Sequence, residues 1–216
     1  MAGHMRGAGP TRRHLLRAAA GAFAASLPPF AARSASLGAP LTPDAAAKLG
    51  ALPGKAVLGA ARTAPRITEL VDFNAADWRR SALDMRELLA SDAQLAYGLV
   101  QAPLFDVRSL EAARVALAVL AKGGGRFETF YLALAEGEGP VDGVAALGAA
   151  QRTGLDRFQI YNASIQPEYT EALSKAAALA SALGVLVTPA YVIGGEVFTG
   201  YLDLARKRAL LAAARP

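Results

Sequence analysis

Cysteine is absent from the 216 residues, and histidine occurs only at His4 and His14. Without cysteine there is no disulfide, no thiolate nucleophile and no sulfur ligand for zinc. Without histidine beyond position 14, a Ser-His-Asp triad or a Cys–His pair has no base. The one side chain that normally titrates near neutral pH is missing as well. Any acid–base work falls to Asp, Glu, Lys or Tyr. No metal site and no cofactor are expected.

Acidic residues are also missing from residues 1–35. That stretch holds Thr11-Arg12-Arg13-His14-Leu15-Leu16-Arg17, then an Ala-rich apolar run from Ala18 to Leu27, then Pro28-Pro29. A basic start, a short apolar run and small residues after it read as a signal peptide. The run is too short to span a bilayer. Its paired arginines resemble the twin-arginine export motif, with cleavage expected between Ala32 and Gly38. The alternative is an Arg-rich amphipathic helix at a cytosolic N-terminus. Five of the 23 basic residues and none of the 18 acidic ones lie in this leader. The rest of the chain is therefore balanced, with 18 of each sign. Nothing there has the clustered excess of Lys and Arg that nucleic acid requires.

About 180 residues remain, enough for one domain with a sound core. Residues 36–66 read as a lead-in, a linker or extended arm broken by Gly50, Pro53, Gly54 and Gly59. Within it, Thr42-Pro43-Asp44 predicts a capped short helix, Pro43–Leu49. Ile67–Phe73 is a strand candidate, and Asn74 or Asp77 is the expected cap of a helix over Trp78–Ala90. Gln94–Gln101 completes a βαβ unit with parallel strands. Helices follow at Arg108–Lys122, capped by Ser109, then from Phe127, at Val141–Thr153 and at Glu168–Leu183. Tyr161–Ser164 has no clear pattern. Strand signals return at Val185–Ile193. Gly194-Gly195 is a two-residue hairpin turn, and Glu196–Thr199 pairs back. Leu202–Ala214 closes the chain as a helix with Leu202, Ala205, Ala209 and Leu210 inward.

This order of elements resembles the DsbA-like branch of the thioredoxin superfamily, over roughly Val57 to Arg215. In that family a strand ends in a phrase like FFDYNCxxCRR. Here the phrase stands as Leu70-Val71-Asp72-Phe73-Asn74-Ala75-Ala76-Asp77-Trp78-Arg79-Arg80. The family's cysteines would fall on Ala75 and Trp78. Its cis-proline loop corresponds to Gly184-Val185-Leu186-Val187-Thr188-Pro189-Ala190-Tyr191-Val192-Ile193-Gly194. The resemblance implies an α/β thioredoxin-like fold with a central mixed sheet. It also implies one domain over residues 67–216, an all-helical insertion at about 107–184 and a cis Thr188–Pro189 bond. In such proteins a thiolate at a helix N-terminus attacks a disulfide and a second thiol resolves the intermediate. Ala75 and Trp78 provide neither group.

The functional expectation is an exported, redox-inactive relative that binds polypeptide or serves as an accessory, chaperone-like subunit. Its contact surface would be the former active-site face: Asn74, Ala75, Ala76, Asp77, Trp78, Thr188 and Pro189. Trp78 is read either as an exposed anchor or as core. Asp72 is read as a strand-end carboxylate before a functional one, and Arg79 and Arg80 as solvated. Tyr161, Tyr169 and Tyr191 read as packing residues, and Phe127, Phe130 and Tyr131 as core. A second reading is a glutathione-dependent transferase or isomerase on the same fold, for which Ser81 is the only nucleophile at hand. A third is a structural module that forms homo-oligomers through residues 41–52.

Overall fold

The computed structural model describes residues 1, 3, 38–60 and 64–214. The leader motif lies outside them. The fold belongs to the compact unit Arg33–Pro216. Among the described residues no helix is long and apolar enough to cross a membrane.

Two strands and a short helix come first: β1 (Ala39–Pro40), α1 (Pro43–Ala51) and β2 (Ala56–Gly59). The Thr42 hydroxyl caps α1 by accepting from the Ala45 amide at 3.3 Å, with Pro43 at the first helical position. The βαβ unit follows as β3 (Ile67–Val71), α2 (Trp78–Ser91) and β4 (Ala96–Gln101). Five helices come next: α3 (Val107–Lys122), α4 (Phe127–Ala135), α5 (Gly143–Arg152), α6 (Arg157–Ser164) and α7 (Pro167–Ala182). The hairpin β5 (Ala190–Ile193) and β6 (Glu196–Thr199) and a closing helix α8 (Leu204–Ala213) complete the chain.

The six strands form one mixed sheet in the order β1-β6-β5-β3-β4-β2. β3 and β4 are parallel, as a βαβ crossover demands, and every other pair is antiparallel. Side chains alternate between the two faces. Ile67, Val71, Tyr97, Leu99, Tyr191 and Ile193 pack with α2, α8 and the helical insertion. Leu70, Val100, Ala190 and Val192 pack with Leu49 of α1 and Leu179 of α7. This is the expected thioredoxin-like α/β architecture with an inserted helical subdomain.

Several expectations change. Residues 36–66, read as a linker or extended arm, supply both edge strands: β1 pairs with β6 and β2 with β4. In residues 41–52, Leu49 is buried and Leu41 and Leu52 pack against the same sheet face. The insertion has five helices, not four. The extra one, α6, buries only Ile160 and Ser164, so it carries almost no apolar period. Tyr161 on it is 47% exposed rather than packed. The strand expected from Val185 starts only at Ala190, because Pro189 has no N–H for the ladder. The inward face of α8 is Leu204, Lys207 and Leu211, whereas Ala205 and Ala209 are exposed. A buried lysine inverts the apolar pattern there.

Both turn glycines between β5 and β6 have positive φ, 59° for Gly194 and 81° for Gly195. This is the type I′ requirement. Gly59 is constrained twice. Its φ is 72°, and an added Cβ would collide with the Leu95 carbonyl oxygen and lie 2.6 Å from Leu89 Cδ2. Gly184 has a similar φ of 69° but nothing within 4 Å. Gly184→Ala should therefore cost only the backbone penalty, about 1–2 kcal/mol. Gly59→Ala should cost that and a further ~1–3 kcal/mol of overpacking. Urea unfolding of the two variants side by side checks this; equal losses would contradict it.

Candidate functional site

β3 and β4 end, and β5 begins, at the same edge of the sheet. The register places Ala190 opposite Leu70, which brings Pro189 alongside the end of β3. The Ala102 amide donates to the Val71 carbonyl at 2.8 Å, so the chain leaving β4 opens at the same place. The Thr188–Pro189 bond is cis. Residues 72–77 and the loop 184–189 therefore face each other across the strand ends.

Trp78, at the start of α2, is 0% exposed. Its ring meets Phe73 edge-on at 5.2 Å and Tyr131 of α4 at 6.0 Å. Tyr131 in turn stacks on Phe127 at 6.2 Å. The guanidinium of Arg79 lies 4.8 Å above the Trp78 ring and donates to the carbonyls of Gly137 at 2.9 Å and Gly139 at 2.6 Å. Arg79, read as a solvated charge, is thus a clip between α2 and the loop after α4. Ala75 is buried beside Trp78 in the same core cluster. The neighbourhood has adapted to the large ring, and Trp78 is core rather than an exposed anchor.

Asn74 is also held inside the molecule. Its Nδ2 donates to Val141 O at 2.9 Å and to Ser109 Oγ at 3.0 Å, and its Oδ1 accepts from Val141 N at 2.9 Å. Asp72 is the hub of this loop. Its Oδ1 accepts from Ser109 Oγ at 2.6 Å and from Asn74 N at 2.8 Å. Its Oδ2 accepts from Leu104 N at 2.7 Å and Phe105 N at 3.0 Å. A buried carboxylate needs this many donors. The cap of α3 is Asp106, which accepts from Ser109 N; the Ser109 hydroxyl goes to Asp72 instead. Neither expected cap of α2 acts as one: Asp77 sits at the position without a side-chain cap bond. Ala76 is exposed and Asp77 half-buried, whereas Thr188 and Pro189 are buried. The Thr188 hydroxyl has no hydrogen-bond partner among the described residues.

A second buried polar group lies under α2. Lys207 Nζ, 0% exposed, donates to Ser81 Oγ and to Asp84 Oδ2, both at 3.0 Å. Ser81 Oγ is 2.8 Å from Tyr191 Oη, and Lys207 Nζ lies 4.8 Å from the centre of the Tyr191 ring. Tyr97 Oη donates to Glu69 Oε2 at 2.6 Å. Burial raises the pKa of the Tyr97, Tyr131 and Tyr191 hydroxyls, so they stay protonated. Burial also raises Glu69, against the nearby charge of Lys207. The sequence named Ser81 but missed Lys207, which a helix-period reading assigned to the solvent face.

A family model described as DSBA-like thioredoxin domain matches residues 79–212, more than half of the chain. The chain belongs to that family. It is similar to a thioredoxin-like oxidoreductase from Silicibacter pomeroyi DSS-3. That pair shares 28% identity at a TM-score of 0.70, over 76% of this chain and 93% of the other. The thiol-disulfide exchange protein alpha-DsbA2 of Wolbachia pipientis aligns at 20% identity and TM-score 0.69, over 80% and 96% of the two chains. A periplasmic thioredoxin-like protein of Salmonella enterica serovar Typhimurium aligns at 19% and 0.71, over 81% and 97%. These last two likenesses bear on fold alone. No curated protein matches the chain.

This DSBA-like domain has no cysteine at the positions where the family phrase carries two. Beside the closed floor of Ala75 and Trp78, apolar side chains are exposed among charged ones such as Asp106 and Arg108. Leu186 is 83% exposed and Val187 is exposed on one side, with Phe105 and Val107 exposed at the start of α3. None of these four was picked out from the sequence.

Two outcomes follow from the buried groups. Trp78→Ala should lose about 3–5 kcal/mol, the usual cost of truncating a fully packed aromatic, measured by urea unfolding. A loss under about 1 kcal/mol would mean the ring is not packed as described. Glu69, raised above its ordinary 4.5, binds its proton more tightly folded than unfolded. Its contribution is present below that pH and lost as pH rises through the folded value. Relative to the parent, Glu69→Gln should therefore gain stability as pH rises above the ordinary carboxylate range. A difference that stays flat or falls in paired unfolding curves would be the opposite result.

Proposed function

We propose that this DSBA-like protein is exported, takes no part in thiol–disulfide exchange and holds polypeptide at its former active-site face. The observation that carries the reading is the exposed apolar rim, Leu186 and Val187 on one side and Phe105 and Val107 on the other, around a site without thiols. Exposed apolar patches beside an available strand end are where extended chains dock. The contact set differs from the sequence expectation. Ala76, Asp77 and the rim supply contact surface, while Asn74, Ala75, Trp78, Thr188 and Pro189 form the floor and its supports. Export rests on the paired arginines and apolar run of the leader, in keeping with the periplasmic label of the Salmonella relative. A twin-arginine route is part of this proposal.

The glutathione-dependent alternative gains nothing from the fold. Ser81, its only candidate nucleophile, is fully buried and bonded to Tyr191 and Lys207.

The test is capture from the exported fraction of the host, comparing the parent with Leu186→Asp/Phe105→Asp. Both positions are exposed, so folding should survive within about 0.5 kcal/mol per site. The parent should enrich specific polypeptides, and the variant should recover at least tenfold less, as loss of two apolar anchors of about 1.5–3 kcal/mol each predicts. Identical recovery by both proteins would remove this face as the contact.

A further inference from the structure

A cleft of about 310 Å³ opens in the helical subdomain between α3, α5 and α6. Its walls are Val144, Leu147, Tyr161 and Ile165. Three of these are large apolar groups left in solvent: Val144 and Ile165 are more than half exposed and Tyr161 nearly so. Arg114 of α3 lines the same cleft and is part-buried. Its Nε is sealed from solvent and has no hydrogen-bond partner among the described residues. No ion pair of Arg114 is present among them either.

The terminal nitrogens of Arg114 are not among the sealed atoms, so they are the part of the guanidinium that a ligand can reach. The sealed Nε alone is an unpaired buried donor, ordinarily a cost of ~1–3 kcal/mol. Several other cations that line surface hollows here are paired. In the apolar groove between α1 and α7, Lys48 holds Asp44 and Lys175 holds Glu171, each at 2.7 Å. Glu111, one turn before Arg114, does not neutralise it. Its Oε2 instead faces the Gly143 amide at the start of α5, at 3.5 Å. The Ser164 hydroxyl donates to Tyr161 O at 2.8 Å, and Arg114 Nε makes no bond to it.

We infer that this cleft is a binding site for a carboxylate carried on a short branched or aromatic apolar body. The carboxylate would pair with the terminal nitrogens of Arg114, whose planar fork suits it. The apolar body would fill the space between Val144, Leu147, Tyr161 and Ile165. The volume suits a ligand of one amino-acid residue, such as the C-terminal residue of a peptide or a free branched-chain acid. The cleft is built only from α3, α5 and α6. It is independent of the polypeptide-binding reading of the other face, and either can fail alone.

The probes are N-acetyl-leucine, its uncharged amide N-acetyl-leucinamide, and 4-methylpentanoate, titrated into the full chain and followed by amide NMR shifts. A ligand of this size should bind at roughly millimolar Kd, with shifts centred on residues 144, 161 and 165. N-acetyl-leucine binding better than 4-methylpentanoate identifies a peptide C-terminus as the source; the reverse identifies a free acid. The amide should bind about tenfold or more weaker, and so should N-acetyl-leucine to Arg114→Gln, for loss of one charge-assisted bond. Glu111→Gln should bind N-acetyl-leucine at least as tightly, because it removes the one negative charge lining the cleft. Acid and amide binding equally to the parent would overturn the inference even if the Arg114 variant did not fold. So would the absence of saturable shifts.

Discussion

The packing of Trp78 decides most of what this molecule is. Thioredoxin-type chemistry needs an open notch at the first turn of α2, where a small sulfur can be approached. An indole in that turn is incompatible with the notch unless the surroundings are rebuilt. They are: Phe73 from the end of β3 and Tyr131 from α4 meet the ring edge-on, the favoured geometry for aromatic pairs. Arg79 covers the ring and ties down the loop after α4. The result joins the sheet to the helical insertion through one continuous apolar cluster. A site became a seam.

The polar groups around that seam show the same logic. Asp72 takes four hydrogen bonds from the loop after β3, the chain leaving β4 and the start of α3. Asn74 pairs with both backbone groups of Val141 ahead of α5. Each closes a gap between the thioredoxin part and the insertion that would otherwise hold water. Buried polar networks of this kind are favourable only when nearly complete, since each orphan costs its full desolvation. The hydrogen bonds of Asp72 and Asn74 tie the two halves together. Orphans remain at the seam itself, in Trp78 Nε1, Tyr131 Oη and Thr188 Oγ1, and away from it in Arg114 Nε.

Much of the fold could be read from the residues because its signals were local. The Thr42 cap, the parallel βαβ unit and the Gly194-Gly195 turn each rest on a few adjacent side chains and backbone preferences. The failures have a common cause in partners far apart in sequence. Nothing near Val57 reveals that it will pair with Gly98, so a paired edge strand read as an arm. Lys207 looked solvent-facing because its partners, Ser81 and Asp84, lie more than 120 positions away. α6 was invisible because its buried residues are only two. At the site, the motif located the loop correctly but not the direction of its side chains. Those facing inward, Trp78 and Asn74, hold the structure; Leu186 lies in the cis-proline phrase without being marked as surface, and Phe105 lies in a segment with no motif of its own.

The Lys207–Ser81–Tyr191 arrangement marks the boundary between geometry and function. A lysine 3.0 Å from a serine hydroxyl, with a tyrosine hydroxyl beyond it, is a spacing that nucleophilic enzymes use. Two features deny it that role here. The lysine is held by the Asp84 carboxylate as well, so it is not free to turn to a substrate. All three side chains are sealed beneath α2, so no carbonyl or phosphoryl group reaches the hydroxyl. What the cluster does is join α2, β5 and α8 across a layer that an all-apolar interface would allow to slide. Catalytic spacing without access is a fastening, and the same test applies at Ala75 and Trp78. Both occupy the family's reactive positions, and both are closed off from solvent.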